Sequence, residues 1–145
     1  MHRNLSNIPF DELAVGMFLG EGTFEITKDL IVRFARLMGY DDPVYLDREY
    51  ARKTPYGDII TPPGMIFVYS LRLGWDLKVF PPGSIRMGDD NIFYQPAKPG
   101  DVLKTTLHIS DRFIKKERKF VKMKLDTVNQ TNNKICTVEF VAIIP

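Results

Sequence analysis

The chain of 145 residues is poor in cysteine and histidine, with only Cys136, His2 and His108. One cysteine excludes an internal disulfide, and together with two histidines it excludes the zinc-finger and zinc-ribbon classes. A metal site would have to recruit carboxylates, so we expect none. Cys136 lies in the alternating apolar stretch 135–144, which favours a small buried side chain over a nucleophile.

The sequence also lacks long apolar runs and a marked excess of one charge. No window approaches the roughly 18 apolar residues that span a bilayer, and residues 1–10 lack the apolar centre of a signal peptide. Its 20 basic residues nearly balance 18 acidic ones, which disfavours nucleic acid as the main partner. We therefore expect a cytoplasmic protein that binds neither membrane nor nucleic acid.

What is present is an ordinary globular composition, 44% apolar and 26% charged. A chain of this length buries enough surface to fold as one domain, residues 1–145, without a disulfide or metal. In its first half, 23–26 alternates like a short strand, and Thr27 is a suitable N-cap for a helix that ends at Gly39. The segment 47–53 predicts a short helix. The segment 65–73 is apolar on nearly every side, which predicts a buried helix.

The second half alternates like strands and predicts an antiparallel meander. The predicted strands cover 85–94, 101–110, 112–128 and 134–144. The Asn-rich loop 129–133 is typical of a hairpin turn. A helical half followed by these strands predicts an α+β domain in which a curved antiparallel sheet wraps round the buried helix.

Three segments of the chain carry a resemblance to a known family. They read FDELAVGM at 10–17 followed by IT at 26–27, FARLMGYDDPVYLD at 34–47 followed by YGDIITPPG at 56–64, and YQPAKPGDVL at 94–103. In this order they resemble the MaoC-like hydratases and dehydratases, which interconvert 2-enoyl and 3-hydroxyacyl thioesters of coenzyme A or acyl carrier protein. The resemblance implies a single hot-dog fold round the helix 65–73. It also implies pairing of hot dogs, as a homodimer or with a catalytic hot-dog subunit, so that acyl tunnels form at the junction.

The resemblance fails where catalytic members of that family have an aspartate three residues before a proline and a histidine two residues after it. Around Pro43 these positions hold Tyr40 and Tyr45. The missing pair has to activate a water and protonate the α-carbon, whereas a phenol with a pKa near 10 is a poor base at neutral pH. Asp41 and Asp42 lie one and two positions along, and Asp42 is also a typical turn residue before proline.

The start of the helix 65–73 is the place where the family holds the thioester carbonyl. The resemblance therefore implies substrate binding by Pro63, Gly64 and Met65, since free backbone N–H groups at a helix N-terminus can polarise a carbonyl. Alternatively, Pro63 and Gly64 simply turn the chain into the helix. The only expected cofactor chemistry is coenzyme A or the carrier protein as part of the substrate.

The sequence most resembles non-catalytic members that work beside a catalytic hot-dog partner. In this interpretation Tyr40, Asp42, Tyr45 and Gly64 line the acyl tunnel, with Met65 and its helix behind them. Two alternatives stay open: a non-enzymatic module that binds acyl thioesters, and a self-sufficient dehydratase with a rearranged site that uses an aspartate or a tyrosine. Tyr40 and Tyr45 could also be packing residues in a closed pocket.

A basic cluster spans 112–124 and includes the aromatic residues Phe113 and Phe120. It could meet the phosphates of coenzyme A or the acidic surface of a carrier protein, or it could be a solvated hairpin. A groove for single-stranded nucleic acid is disfavoured by the near-neutral total charge. His108 is expected at the surface of a strand, and neither it nor His2 replaces the missing catalytic histidine.

Overall fold

A computed structural model describes residues 3–145 and contains four helices and one five-stranded antiparallel sheet. His2 and the first residue of the predicted domain lie outside the described residues. The helices are α1 Lys28–Met38, α2 Pro43–Leu46, α3 Arg48–Ala51 and α4 Pro63–Asp76. The strands are β1 Phe18–Glu25, β2 Ile85–Phe93, β3 Val102–Lys115, β4 Arg118–Val128 and β5 Lys134–Ile144. Two 3₁₀ turns precede them, at Leu5–Asn7 and Phe10–Glu12.

The sheet has the strand order β1-β3-β4-β5-β2, and every neighbouring pair is antiparallel. The predicted α+β class and the antiparallel strands are confirmed. Only β3, β4 and β5 form the predicted meander, however, because β2 pairs with β5 at the far edge of the sheet. This arrangement leaves β2 as an edge strand with one unpaired side.

The predicted strand break at Asp111 is wrong, because β3 continues to Lys115. The pairing of β3 with β4 shifts by one residue between Ile109 and Asp111, which is the sign of a β-bulge. The bulge interrupts the alternation of apolar residues, so in the sequence it resembles a turn. The real turn lies at Lys116 and Glu117, whose φ angles are 49° and 61°.

The start and end of α1 are confirmed at the predicted residues. The Thr27 side chain accepts a hydrogen bond from the Leu30 N–H at 3.2 Å, and Gly39 ends the helix with φ of 74°. A positive φ at this position satisfies the last carbonyls of the helix and reverses the chain. The segment that follows is thereby directed back towards α4.

The predicted central helix is present as α4, but the chain buries only one of its faces. Met65, Ile66, Ser70 and Gly74 pack against the sheet, while 49% of Val68 and 69% of Trp75 remain exposed. The prediction of a helix buried all round is therefore corrected for the single chain. Five strands cover one side of a helix, so its second apolar face needs another partner.

Three buried hydroxyl groups fix α4 against the sheet. The Thr127 Oγ1 lies 3.0 Å from the Ser70 Oγ of α4 and 2.7 Å from the Thr105 Oγ1 of β3. All three side chains are buried, so no solvent would replace a lost partner. No helix of residues 3–145 has both the length and the apolar character needed to cross a membrane.

Replacing Thr127 by valine tests this buried network. Thr127→Val keeps the side-chain shape but leaves the Ser70 and Thr105 hydroxyls without their common partner, so we expect a loss of about 1–3 kcal/mol in the free energy of unfolding. Urea denaturation followed by circular dichroism measures it. The matched control is Thr23→Val at an exposed position of β1, with an expected change within about 0.5 kcal/mol. Equal effects of the two variants would contradict the proposed importance of the network.

Candidate functional site

The segment between α1 and α4 consists of two short helices, each capped by an aspartate. The Asp42 carboxylate accepts a hydrogen bond from the Val44 N–H at 2.9 Å and caps α2. The Asp47 carboxylate does the same for α3 through the Glu49 N–H, also at 2.9 Å. The sequence analysis predicted a short helix at 47–53, where α3 lies, but no helix at α2. Asp42 thus has the local structural role that its position before a proline suggested.

Tyr40 and Tyr45 lie side by side at the N-terminal end of α4. Their ring centroids are 5.8 Å apart, and the ring of Tyr40 also stacks on Phe34 at 6.5 Å. The Tyr40 hydroxyl lies 3.5 Å from the place where a Cβ atom on Gly64 would be. The fold therefore brings together three of the residues that the sequence singled out: the two tyrosines and Gly64.

A cavity of about 250 Å³ opens beside these residues. Its walls include Tyr45 and Pro63 from the predicted site, and Tyr56, Tyr94 and Gln95, to which the sequence analysis gave no role. These three residues belong to the segments that carry the family resemblance, and nothing else in the sequence indicated that they line a cavity. A larger cavity of about 480 Å³ lies at the other end of α4, with mostly apolar walls.

The first turn of α4 presents one free backbone donor beside the tyrosines. Pro63 has no N–H, and the Met65 N–H donates to the Pro62 carbonyl at 3.0 Å, while the Met65 side chain is fully buried. Among residues 3–145, no acceptor pairs with the Gly64 N–H. Of the three residues predicted to bind substrate, Gly64 therefore offers the amide, Pro63 lines the cavity and Met65 packs behind them.

Two pairs of interactions hold this helix start in place. The Thr61 N–H donates to the Ala97 carbonyl at 2.9 Å, and the Ala97 N–H donates back to the Thr61 Oγ1 at 3.0 Å. On the other side, the Arg48 guanidinium donates two hydrogen bonds to the Asp58 carboxylate, at 2.8 and 2.9 Å. This hydrogen-bonded pair lowers the pKa of Asp58 below its ordinary value, against the opposing effect of burial. The segment before α4 is thus fixed at both ends.

The site is poor in groups that transfer protons at neutral pH. Partial burial raises the pKa of Tyr45, and the charge of Asp42 and the neighbouring Tyr40 and Tyr56 raise it further. The Tyr45 hydroxyl therefore stays protonated and can donate a hydrogen bond but cannot act as a base. Of the described residues that line the cavity, none is Asp, Glu or His.

The remaining chemical candidates lie elsewhere. Cys136 is buried, as predicted, and burial together with the charge of Asp126 raises the pKa of its thiol to about 11. His108 is half-buried on β3, with its Nε2 atom 3.9 Å from the Asp126 Oδ2 on β4. This cross-strand neighbour was not visible in the local sequence. No three His, Cys, Asp or Glu side chains of residues 3–145 lie together as a metal site would require.

Comparison with known proteins gives a family match over most of the chain. Residues 13–138 match the model of the family described as "FAS1-like, dehydratase domain region". Among curated proteins, a UPF0336 protein of Streptomyces avermitilis is 29% identical over 89 residues, which are 57% of this chain and 59% of the relative. The match thus spans about three fifths of the length of that relative.

Solved structures show the same fold. The unliganded (R)-hydratase PhaJ1 of Pseudomonas aeruginosa is 30% identical, with a TM-score of 0.79 over 96% of this chain and 86% of that one. The HadBC complex of Mycobacterium tuberculosis, a (3R)-hydroxyacyl-ACP dehydratase, is 16% identical, with a TM-score of 0.73 over 84% of this chain and 90% of that one. The second likeness is one of fold alone. The predicted hot-dog fold and hydratase–dehydratase resemblance are confirmed.

Removing the Asp58 carboxylate tests the ion pair that holds the segment before α4. The pKa of Asp58 is lower in the folded chain than in the unfolded one, so its ionised carboxylate stabilises the fold at pH values above the unfolded pKa near 3.9. This stabilisation is lost as the pH falls through the pKa of Asp58 in the folded chain. We expect Asp58→Asn to unfold at lower urea concentration at pH 7, with a difference that narrows towards pH 3. Asp29→Asn, which breaks an exposed pair with Arg33, is the control. A difference independent of pH would contradict this assignment.

Proposed function

Because the chain belongs to the family of FAS1-like dehydratase domain regions, we propose that it is a hot-dog subunit that binds 2-enoyl or 3-hydroxyacyl thioesters without transferring protons itself. The thioester is one of coenzyme A or of a carrier protein, and a catalytic hot-dog partner supplies the acid and base. One observation carries the proposal: Tyr45, with Tyr40 packed against it, borders a cavity whose described lining contains no carboxylate or imidazole. The family resemblance implies an aspartate and a histidine at these two positions in catalytic members.

The chemistry of the cavity suits binding better than turnover. Hydration of an enoyl thioester needs a base that activates water at the β-carbon and an acid that protonates the α-carbon. The Gly64 N–H can donate to the thioester carbonyl, and the protonated Tyr45 can donate a second hydrogen bond. Neither group can accept the proton of the attacking water. The site therefore holds and shields an acyl group, with Pro63 as part of its wall.

The surface next to the cavity supports a second hot dog as the partner. β2 has a free backbone edge and carries the exposed residues Ile92 and Phe93, while α4 has an exposed apolar face that includes Val68 and Trp75. The guanidinium of Arg86 on β2 lies 5.6 Å from the ring centre of Phe67 on α4, so β2 and α4 are in contact. An unpaired strand edge beside an apolar helix face is a typical site of association. The HadBC complex is an assembly of this fold that contains two kinds of subunit.

The direction of β2 defines how such a pair completes the cavity. If the α4 helices of both subunits are to cover each other, they must lie on the same side of the joined sheet, which makes the two β2 strands antiparallel. The Phe93 end of one strand then lies beside the Ile85 end of the other. The smaller cavity is at the Phe93 end and the larger one includes Ser84 and Arg86 near the Ile85 end. Each acyl tunnel would thus combine cavities from both subunits.

Two other functions stay as candidates for experiment. A self-sufficient dehydratase would have to use Asp41 or Asp42, and the Asp42 carboxylate is engaged by the backbone of α2. A binding module without any catalytic partner would hold the same ligands in a homodimer. Turnover of crotonyl-CoA by the chain alone supports the first, and an absence of turnover with every catalytic subunit supports the second.

The catalytic part of the proposal is tested by restoring the missing pair. We expect the chain to bind crotonyl-CoA in calorimetry without reducing its conjugated thioester absorbance. The double variant Tyr40→Asp/Tyr45→His should gain hydratase activity at least tenfold above background, because it places a base and an acid beside the free Gly64 amide. Each single variant should remain near background, since one group does only half of the proton transfer.

The matched control for this experiment is Asp42→Asn, which keeps the helix cap and removes the charge. We expect unchanged crotonyl-CoA affinity and no turnover. Turnover by the unmodified chain that Asp42→Asn abolishes would overturn the proposal in favour of the rearranged active site. Retained binding without any activity gain in the double variant would show that other groups are missing.

The pairing part of the proposal is tested by placing a charge on the exposed face of α4. Without a catalytic subunit, we expect a second copy to cover this face, so the purified chain should sediment as a dimer. Trp75→Glu should weaken the dimer at least tenfold, because the new carboxylate would be buried against apolar surface. Leu37→Glu on α1, where the leucine is 80% exposed, is the control and should leave the dimer intact. A Trp75→Glu variant as dimeric as the original chain would argue against this interface.

A further inference from the structure

The β3–β4 hairpin concentrates positive charge in a chain that is otherwise net negative. Residues 111–124 carry seven of the 20 basic residues and two of the 18 acidic ones. The tip, 114–119, is exposed throughout. Such an asymmetry within a nearly neutral chain creates a local positive potential, which attracts an anionic partner.

An apolar row crosses the same end of the sheet on its solvent side. Phe113, Phe120, Ile143 and Ile85 are directly opposite one another on four successive strands. Directly paired residues share a face of the sheet, and their neighbours Val121 and Ala142 point into the core. The two phenylalanine rings stack with centroids 4.9 Å apart and planes 5° apart. We call these four residues the apolar row.

Cations flank the apolar row on both sides. Lys115 lies directly opposite Arg118 at the tip, and Lys122 lies on the other side of the row, opposite Asp111 in the register but without an ion pair to it. Six cations of the hairpin have no Asp or Glu side chain within 4.0 Å among residues 3–145: Lys115, Lys116, Arg118, Lys119, Lys122 and Lys124. Like charges opposite each other destabilise a sheet. An external anionic surface would relieve this repulsion.

We propose that this surface docks an acidic carrier protein that delivers the thioester, through a helix whose apolar stripe lies between carboxylates. The stripe covers the apolar row, and the carboxylates meet Lys115, Arg118 and Lys122. The phosphates of coenzyme A could pair with the cations but would leave the apolar row exposed. A nucleic acid base would have to part the two rings that already stack on each other.

This inference rests on the proposed function, because the antiparallel pairing of β2 relates the surface to the cavity. Ile85 belongs to the apolar row, and its end of β2 lies beside the Phe93 end of the partner subunit in that pairing. A carrier docked on one subunit would therefore stand next to the cavity of the other. Because the two β2 strands run antiparallel in this pairing, the carrier docked on one subunit would deliver its thioester to the cavity of the other.

The test compares a holo acyl carrier protein, crotonyl-carrier protein and crotonyl-CoA as ligands of the purified full chain. The variant Lys115→Glu/Arg118→Glu should bind both carrier forms at least tenfold more weakly, with unchanged affinity for crotonyl-CoA. Its control, Lys28→Glu/Lys53→Glu, makes the same change of net charge at exposed positions outside the hairpin and should bind normally. Ile143→Thr keeps a β-branched residue in the apolar row and should weaken carrier binding about threefold or more.

Each outcome supports or overturns the proposal. It is overturned if the unmodified chain does not bind the carrier, or if charge reversal leaves carrier binding unchanged. The proposal is also overturned if the charge-reversed variant loses crotonyl-CoA affinity to the same extent, because the cations then bind the phosphates of coenzyme A. Charge-dependent binding to phosphatidylserine vesicles without carrier binding would assign the cations to a membrane surface, and this too would overturn the proposal. Equal, charge-sensitive binding of the holo and crotonyl carriers with no affinity for crotonyl-CoA supports the docking surface and refutes the proposed function alone.

Discussion

The structure depends on one unequal fit, that of a helix with two apolar faces against a sheet that covers only one of them. Ser70 and Gly74 lie on the covered face, where the Ser70 hydroxyl joins Thr105 and Thr127 in a buried network. Val68 and Trp75 lie on the other face, in solvent. β2, whose outer edge is unpaired, contacts α4 through Arg86 and Phe67. The chain is thus stable around its own core yet leaves an apolar surface that association can bury.

The candidate site combines a backbone donor at the start of α4 with a cavity whose described lining contains no carboxylate or imidazole. The Gly64 amide depends on backbone geometry, which Thr61, Ala97 and two prolines fix without any catalytic side chain. Proton transfer depends on particular side chains, and the raised pKa of Tyr45 keeps its hydroxyl protonated. In the proposed function, binding and turnover therefore depend on different groups of the chain. For this reason we propose that the chain shapes the acyl tunnel and does not transfer protons.

The local features of the chain could be predicted because they depend on neighbouring residues. Thr27 and Gly39 mark α1 correctly, since capping is decided within one turn of helix. The buried Cys136 follows from the alternation of β5. Non-local features were missed: the bulge before Asp111 imitates a turn, and β2 pairs across the sheet instead of with its neighbour in the chain. Tyr56 and Tyr94 line the cavity although 38 residues separate them in the sequence.

By itself, the sequence determined the α+β class, the position of the central helix, the family resemblance and the presence of Tyr40 and Tyr45 on either side of Pro43. Periodicity, capping and motif spacing are properties of short segments, so they can be read without coordinates. Only the tertiary structure decided that one face of α4 stays exposed, that the Gly64 amide is free beside the tyrosines, and that an apolar row runs from Phe113 to Ile85. These depend on which strands pair and in what register, and long-range packing fixes both.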